Sequence, residues 1–201
     1  LSLAKGARMA GAQIYEDTKV KRVEIDKGVI KGVETSQGYI SCGVVIACCG
    51  QWTRDFAKRA GVNVPLVSVE HQYMVTEPIA GVSPDMPTLR DPDRLTYYKE
   101  EVGGLVMGGY EPNPIMWAKN GIPKGFHYQL LDSNFDHFEP IMEQALGRVP
   151  ALQTAGIKTL TNGPESFTPD GNFILGEAPE LKNFYVGAGF NAYGIAAGGG
   201  A

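Results

Sequence analysis

Between residues 66 and 77 the chain reads LVSVEHQYMVTE, with apolar or aromatic side chains at every second position: Val67, Val69, Tyr73 and Val75. His71 stands in line with them. A period of two predicts a strand with these five residues on one face. The same alternation marks Val20, Val23 and Ile25 in AQIYEDTKVKRVEID. A Lys27-Gly28 turn leads from there into VIKGVETSQGYISC, which reads as two short strands around Gln37-Gly38. RLTYYKE and GLVMGGY flank Val102-Gly103-Gly104 and read as a hairpin, and GIKTLTNGPESFTPDGNFILGE reads as further short strands. GVVIACCG differs from all of these. Its unbroken apolar run suits a strand of a parallel sheet buried on both faces, and NFYVGAGF repeats that strand-to-glycine pattern.

Three stretches follow the helical period instead. Residues 1–11 place Leu3, Ala7 and Ala10 on one face, with Gly11 as the stop. QWTRDFAKRAG predicts a helix capped near Thr53 or Gln51, with Trp52, Phe56 and Ala60 as its buried stripe and Gly61 as its end. SNFDHFEPIMEQALGRV carries Phe135, Phe138, Ile141, Met142, Ala145 and Leu146 at helical spacing, and Pro140 should kink it or open a second segment. The order predicts an α/β (α+β) fold. A partial Rossmann-like, nucleotide-binding layer occupies 1–65, an inserted antiparallel β-sheet domain 66–160, and a return to the first layer 161–201.

Composition narrows the function classes. The chain has 201 residues, 43% hydrophobic and 20% charged, with a net charge of −4. There is no basic surplus to hold nucleic acid, and no apolar run approaches the about 20 residues of a membrane span. No signal peptide is visible, so a cytoplasmic location is expected. The three cysteines, Cys42, Cys48 and Cys49, form neither a disulfide framework nor a metal set. They read as reduced thiols, with Cys48 and Cys49 buried as small hydrophobes after Val44-Val45-Ile46-Ala47. Leu1-Ser2-Leu3-Ala4 reads as the inside of a helix and the final glycines stop at Ala201, so both ends read as cut.

Candidate chemistry sits in two places. The glycines of GAGFNAYG, Gly187, Gly189 and Gly194, let a backbone approach a flat ligand, and the N–H groups at a helix start favour negative charge. His71 lies on an apolar strand face, where a histidine is more often a core residue than a functional one. Of Tyr97 and Tyr98, adjacent on one strand, only one can share a face with His71, and periodicity does not choose between them. Arg90 and Arg94 lie in a polar loop, where one could meet a carboxylate.

Pro169-Asp170-Gly171, Leu175-Gly176, Asn183-Phe184-Tyr185-Val186 and the glycine turn together resemble the C-terminal flavin-binding segment of the D-amino-acid oxidase superfamily. NGPESFTPDGNFILGEAPELKNFYVGAGFN and CCGQWTRDFAKRAGVNVPLVSVEHQYMVTE are most similar to its dimethylglycine and sarcosine dehydrogenase branch. That branch usually has Ala-Gly-Ala-Trp-Thr where this chain has Cys48-Cys49-Gly50-Gln51-Trp52-Thr53. The branch's Gly-x-Gly-x-x-Gly fingerprint and its flavin-linked histidine are not among these residues.

The resemblance implies an FAD enzyme that moves a hydride-equivalent from an N-methyl carbon of dimethylglycine or sarcosine to the flavin. It implies His71 and Tyr97 as catalytic residues; Tyr98 is carried beside them as a substrate contact, and Tyr110, after Gly108-Gly109, is either a substrate contact lining the cavity or a core residue. Val20, Cys49, Gly50, Trp52, Gly171, Gly187, Gly189, Phe190, Gly194 and Ile195 would contact FAD, Val20 through its backbone at the adenine. The electron acceptor would be oxygen or an electron-transfer flavoprotein, and a downstream domain could hold folate. A eukaryotic source would place the protein in the mitochondrial matrix. The alternatives are a superfamily member acting on a cyclic or D-amino acid, a catalytically silent substrate domain, or a plain interaction domain.

Overall fold

The structure is a computed structural model and describes residues 1–201. It divides into two compact units, residues 1–65 with 173–188 and 200–201, and residues 66–172 with 189–199.

In the first unit, helix α1 (Ser2–Met9) buries none of its side chains, so its expected apolar face has no cover. An antiparallel meander follows: β1 (Val20–Asp26), β2 (Val29–Thr35) and β3 (Gly38–Ser41). Lys27 and Gly28 both have positive φ, the turn whose twist matches a hairpin. Thr35 closes the next turn, its hydroxyl donating to Gly38 O and accepting from Gln37 N–H.

The second sheet of this unit has the order β11-β12-β4, with β11 spanning Ile174–Glu177, β12 Phe184–Ala188 and β4 Val45–Ala47. β4 and β12 pair in parallel, as the apolar runs predicted. β4 is an edge strand, however, and Ile46 is 67% exposed. The expectation of burial on both faces is corrected: only Val45 and Ala47 face the core. A 3-10 turn (Gly50–Trp52) leads into α2 (Thr53–Lys58). Thr53 is fully buried, and its hydroxyl accepts from Cys49 N–H. The buried stripe is Thr53, Phe56 and Ala57, whereas Trp52 in the preceding turn is 41% exposed. Val62 N–H reaches back to Ala57 O across Gly61, whose φ is +77°, which ends the helix as glycine allows. Phe56 stacks on Phe184 with centroids 6.1 Å apart, each ring contributing about 2 kcal/mol by burial.

The second unit is a six-stranded sheet of order β10-β5-β8-β7-β6, with β9 also paired to β5. The strands are β5 (Val67–Thr76), β6 (Leu89–Asp91), β7 (Thr96–Glu101), β8 (Gly104–Gly109), β9 (Met116–Trp117) and β10 (Ile157–Phe167). β7 and β8 form the expected hairpin, turning at Val102 and Gly103 with positive φ. Two expectations are corrected here. β10 is one strand of 11 residues running through Gly163-Pro164, because it pairs with β5 throughout. Its place at the sheet edge leaves the proline's missing N–H without cost. The second unit therefore runs to residue 172, past the boundary expected near 160.

Helix α3 (Phe135–Arg148) covers one face of this sheet and passes through Pro140 without breaking. Asn134 caps it, accepting from His137 N–H. Phe138, Ile141 and Ala145 pack with Met74, Tyr98, Leu105 and Met107. On β5 the buried face is the one that looked polar: Ser68, Gln72, Met74 and Thr76. Its polar groups are partnered. Gln72 exchanges two hydrogen bonds with the backbone of Asn134, and Thr76 accepts from Leu105 N–H. The Val67, Val69, His71, Tyr73 and Val75 face points away from this core. A short helix, α4 (Gly194–Ala197), lies in the second unit's C-terminal segment.

Candidate active site

Strand register assembles the site on the sheet face opposite α3. Tyr73 pairs with Gly108, Gly108 with Tyr97, and Tyr97 with Arg90. Directly paired residues share a face, so Arg90, Tyr97 and Tyr73 form one row across β6, β7, β8 and β5, and His71 lies two residues from Tyr73 on that face. Gly108 supplies the room. A Cβ there would collide with the phenol ring of Tyr97.

His71 Nε2 lies 3.3 Å from Gly109 O. A carbonyl only accepts, so the proton belongs on Nε2 and the lone pair on Nδ1. The imidazole also sits 6.1 Å from the Phe167 ring. Beside it is a cavity of about 490 Å³, lined by Val67, Val69, His71, Met116, Phe167 and Tyr110 among others. Tyr97 and Tyr110 meet edge to face at 6.1 Å. Burial raises the Tyr97 pKa, Tyr110 and Tyr73 add to the rise, and Arg90 opposes it, so Tyr97 is a neutral phenol at pH 7. The Tyr110 hydroxyl is raised by burial and by donating to Tyr193, while Tyr193 is lowered, chiefly by its bond from Arg90.

Arg90 Nη1 donates to the Tyr193 hydroxyl at 3.4 Å, and its guanidinium lies 5.9 Å from that ring. No carboxylate lies within ion-pair distance of Arg90. Arg94 differs: it pairs with Asp91, which also holds Arg148 at 3.3 Å. Tyr98 is removed from the substrate contacts. It pairs with Met107 on the core face, is 3% exposed, and its hydroxyl donates to Thr96.

The remaining candidates divide between the units. In the first, Val20 opens the edge strand β1, Gly50 has a φ of +54°, and Trp52 lies half-exposed at the glycine turn. Gly187 lies against Cys48 Sγ, where a Cβ would come within 3.0 Å. Cys48 and Cys49 are free and exposed rather than buried, since they fall where β4 has ended and the chain turns away from its core. Partial envelopment still raises the Cys49 thiol pKa, and Cys48 adds to that rise.

In the second unit, Gly171 holds a turn with a φ of +71°, and Gly189 faces Thr168 so closely that a Cβ would clash. Asn191 locks the two together, accepting from Thr168 N–H at 2.9 Å and donating to Gly189 O at 2.7 Å. Phe190 is half-buried, while Gly194 and Ile195 open α4, with Ile195 fully exposed. Sequence reasoning missed Asn191, Thr168, Gly108 and Tyr193. The asparagine at 191 was the one local signal open to it, since Asn tolerates the positive φ found there. No group of three or more His, Cys, Asp or Glu converges on a metal position, and no helix is long and apolar enough to cross a membrane.

Comparison with known proteins follows this geometry. The family model described as FAD dependent oxidoreductase matches residues 1–201. The chain is 42% identical over 99% of its length to mitochondrial sarcosine dehydrogenase of Homo sapiens, covering 22% of that protein. It is 43% identical over 97% of its length to 4-methylaminobutanoate oxidase (formaldehyde-forming) of Paenarthrobacter nicotinovorans, covering 24%. It is 39% identical over its full length to the mitochondrial pyruvate dehydrogenase phosphatase regulatory subunit of Mus musculus, covering 23%. Among solved structures, L-proline dehydrogenase from P. horikoshii superposes with a TM-score of 0.77 at 26% identity, over 96% of this chain and 50% of that one. The chain thus spans about a quarter of the length of the curated relatives it matches.

Proposed function

Since this chain belongs to the family of FAD-dependent oxidoreductases, we propose that it carries the substrate side of an enzyme oxidising the CH–NH bond of an N-methylated amino acid. The observation that carries this reading is His71, with its tautomer set by Gly109 O, on the same uncovered face as Tyr97. An apolar sheet face with half-buried aromatic rings suits a planar ring system. FAD, when bound, supplies the acceptor for the hydride-equivalent.

The other roles belong to this chain. The substrate amine must be neutral to react, and the lone pair on His71 Nδ1 takes its proton. The neutral Tyr97 hydroxyl orients the substrate, and the faces of Tyr97 and Tyr110 accommodate the methylated nitrogen. Arg90, without a carboxylate of its own, is the cation available to the substrate carboxylate. Val20, Cys49, Gly50, Trp52 and Gly187 in the first unit, with Gly171, Gly189, Phe190, Gly194 and Ile195 in the second, are the residues assigned to FAD.

Sarcosine and dimethylglycine are the substrates this reading favours, and a matrix location follows for a eukaryotic source. Peroxide release in air distinguishes oxygen from an electron-transfer flavoprotein as acceptor, while folate rests on the resemblance alone. In the flavin-loaded protein, His71→Ala should lower turnover of both amines by about 100-fold or more while the flavin spectrum persists. Undiminished turnover would remove His71 from the chemistry. A second reading, a flavoprotein that regulates rather than oxidises, is favoured by the likeness to the phosphatase regulatory subunit. It predicts no turnover of N-methylated amino acids or proline by flavin-loaded wild type.

A further inference from the structure

Tyr110 borders two cavities. One is the cavity of about 490 Å³ beside His71. The other, of about 330 Å³, is lined by Asp93, Arg94, Leu95, Ile141 and Gln144 among others, together with Tyr110. Tyr110 is the residue common to both linings. Its backbone N–H is tied to Leu95 O at 2.8 Å. Its ring abuts Tyr97 edge to face, and its hydroxyl bonds Tyr193. The next residue, Glu111, lies 3.1 Å from His137 Nε2 in the first turn of α3. The anchored backbone on either side and the contacts of the ring with Tyr97 and Tyr193 hold this side chain as a wall.

We propose that Tyr110 sets the length of substrate the site accepts. This rests on the amine-oxidoreductase reading and deepens it. With the phenol in place, the space beside His71 ends at the ring and suits an N-methyl amino acid with one carbon between nitrogen and carboxylate. Without the ring, the two cavities join. The carboxylate of a longer ω-methylamino acid then reaches the second cavity, where the Gln144 amide and the Arg94 guanidinium, which Asp91 shares, are the donors beside the Asp93 carboxylate. Chain length is the property in which substrates named for two relatives of nearly equal identity differ, sarcosine and 4-methylaminobutanoate.

The test uses the flavin-loaded protein as wild type, Tyr110→Phe and Tyr110→Ala. Methylthioacetate, 3-methylthiopropanoate and 4-methylthiobutanoate, in which sulfur replaces the reactive nitrogen, are titrated against the flavin absorbance. The corresponding methylamino acids are assayed for kcat/KM. Wild type should prefer the shortest member by about tenfold or more over the longest, the scale on which a pocket reads methylenes. Tyr110→Ala should shift that ratio by about tenfold or more toward the longest, and Tyr110→Phe should keep the wild-type ranking. If Tyr110→Ala loses its flavin, Tyr110→Leu takes its place with the same expected direction. A flavin-bearing Ala or Leu variant with the wild-type ranking overturns the wall. Absence of binding and turnover for every member in wild type overturns the amine reading, and this proposal with it.

Discussion

Two neighbouring rows of the second unit's sheet run across the same four strands and point in opposite directions. Met74, Met107, Tyr98 and Leu89 form one; Tyr73, Gly108, Tyr97 and Arg90 form the other. The first row is packed under α3 with Phe138 and Ile141. The second lies on the opposite face, where Tyr97 meets Tyr110 and Arg90 meets Tyr193. Both contain a tyrosine, one residue apart, yet Tyr98 is a core side chain bonded to Thr96 while Tyr97 belongs to the candidate site. The difference shows that an apolar strand face does not identify the core. On β5 the more hydrophobic face is the more exposed one apart from Val69, and the face with Ser68, Gln72 and Thr76 is buried because each polar group can be satisfied internally.

Changes to the packed side should register first as stability. Phe138→Ala, which empties a side chain 2% exposed between α3 and the sheet, should cost about 3–5 kcal/mol in urea unfolding followed by circular dichroism. A loss under about 1 kcal/mol would mean that α3 is not the cover of this face. Gln72→Ala should cost about 2 kcal/mol, because it strands the N–H and C=O of Asn134, each now bonded to that amide. The same unfolding curves measure it, and a neutral result would show that water reaches the start of α3.

The open side should show itself least in stability and most in titration. Burial raises Tyr97 above the ordinary tyrosine pKa of about 10, so the unfolded chain releases this proton first. Its contribution is complete below that pKa and is lost as pH rises through the folded value. Tyr98 and Tyr110 are raised as well, so phenolate absorbance near the ultraviolet tyrosine band should show a late-titrating group of tyrosines that is smaller by one ring in Tyr97→Phe. An unchanged late titration in that variant would assign it to other rings.

Legibility followed distance along the chain. The hairpins at Lys27-Gly28 and Val102-Gly103 were readable because turn residues and register are local. The continuity of β10 through Gly163-Pro164 was not, because it depends on β5, about 90 residues earlier. The placement of Tyr97 over Tyr98 came from the family resemblance, and only the β7–β8 and β5–β8 registers place Tyr97, Tyr73 and His71 on one face. The Thr168–Asn191 clamp spans 23 residues and depends on two turns meeting. The exposure of Cys48 and Cys49 escaped notice because the apolar run before them continues in sequence after the strand has ended in space.

Gly108 gives one further consequence. The seat of the Tyr97 ring is made by a missing methyl group, a vacancy in the strand's row of side chains. A hairpin can tolerate many residues at such a position while a ring lying across it tolerates none. Position 108 therefore separates inheritance of the fold from inheritance of the Tyr97 ring's position. A related chain with any other residue there can keep every strand of this sheet and still have dismantled the place where its tyrosine rests.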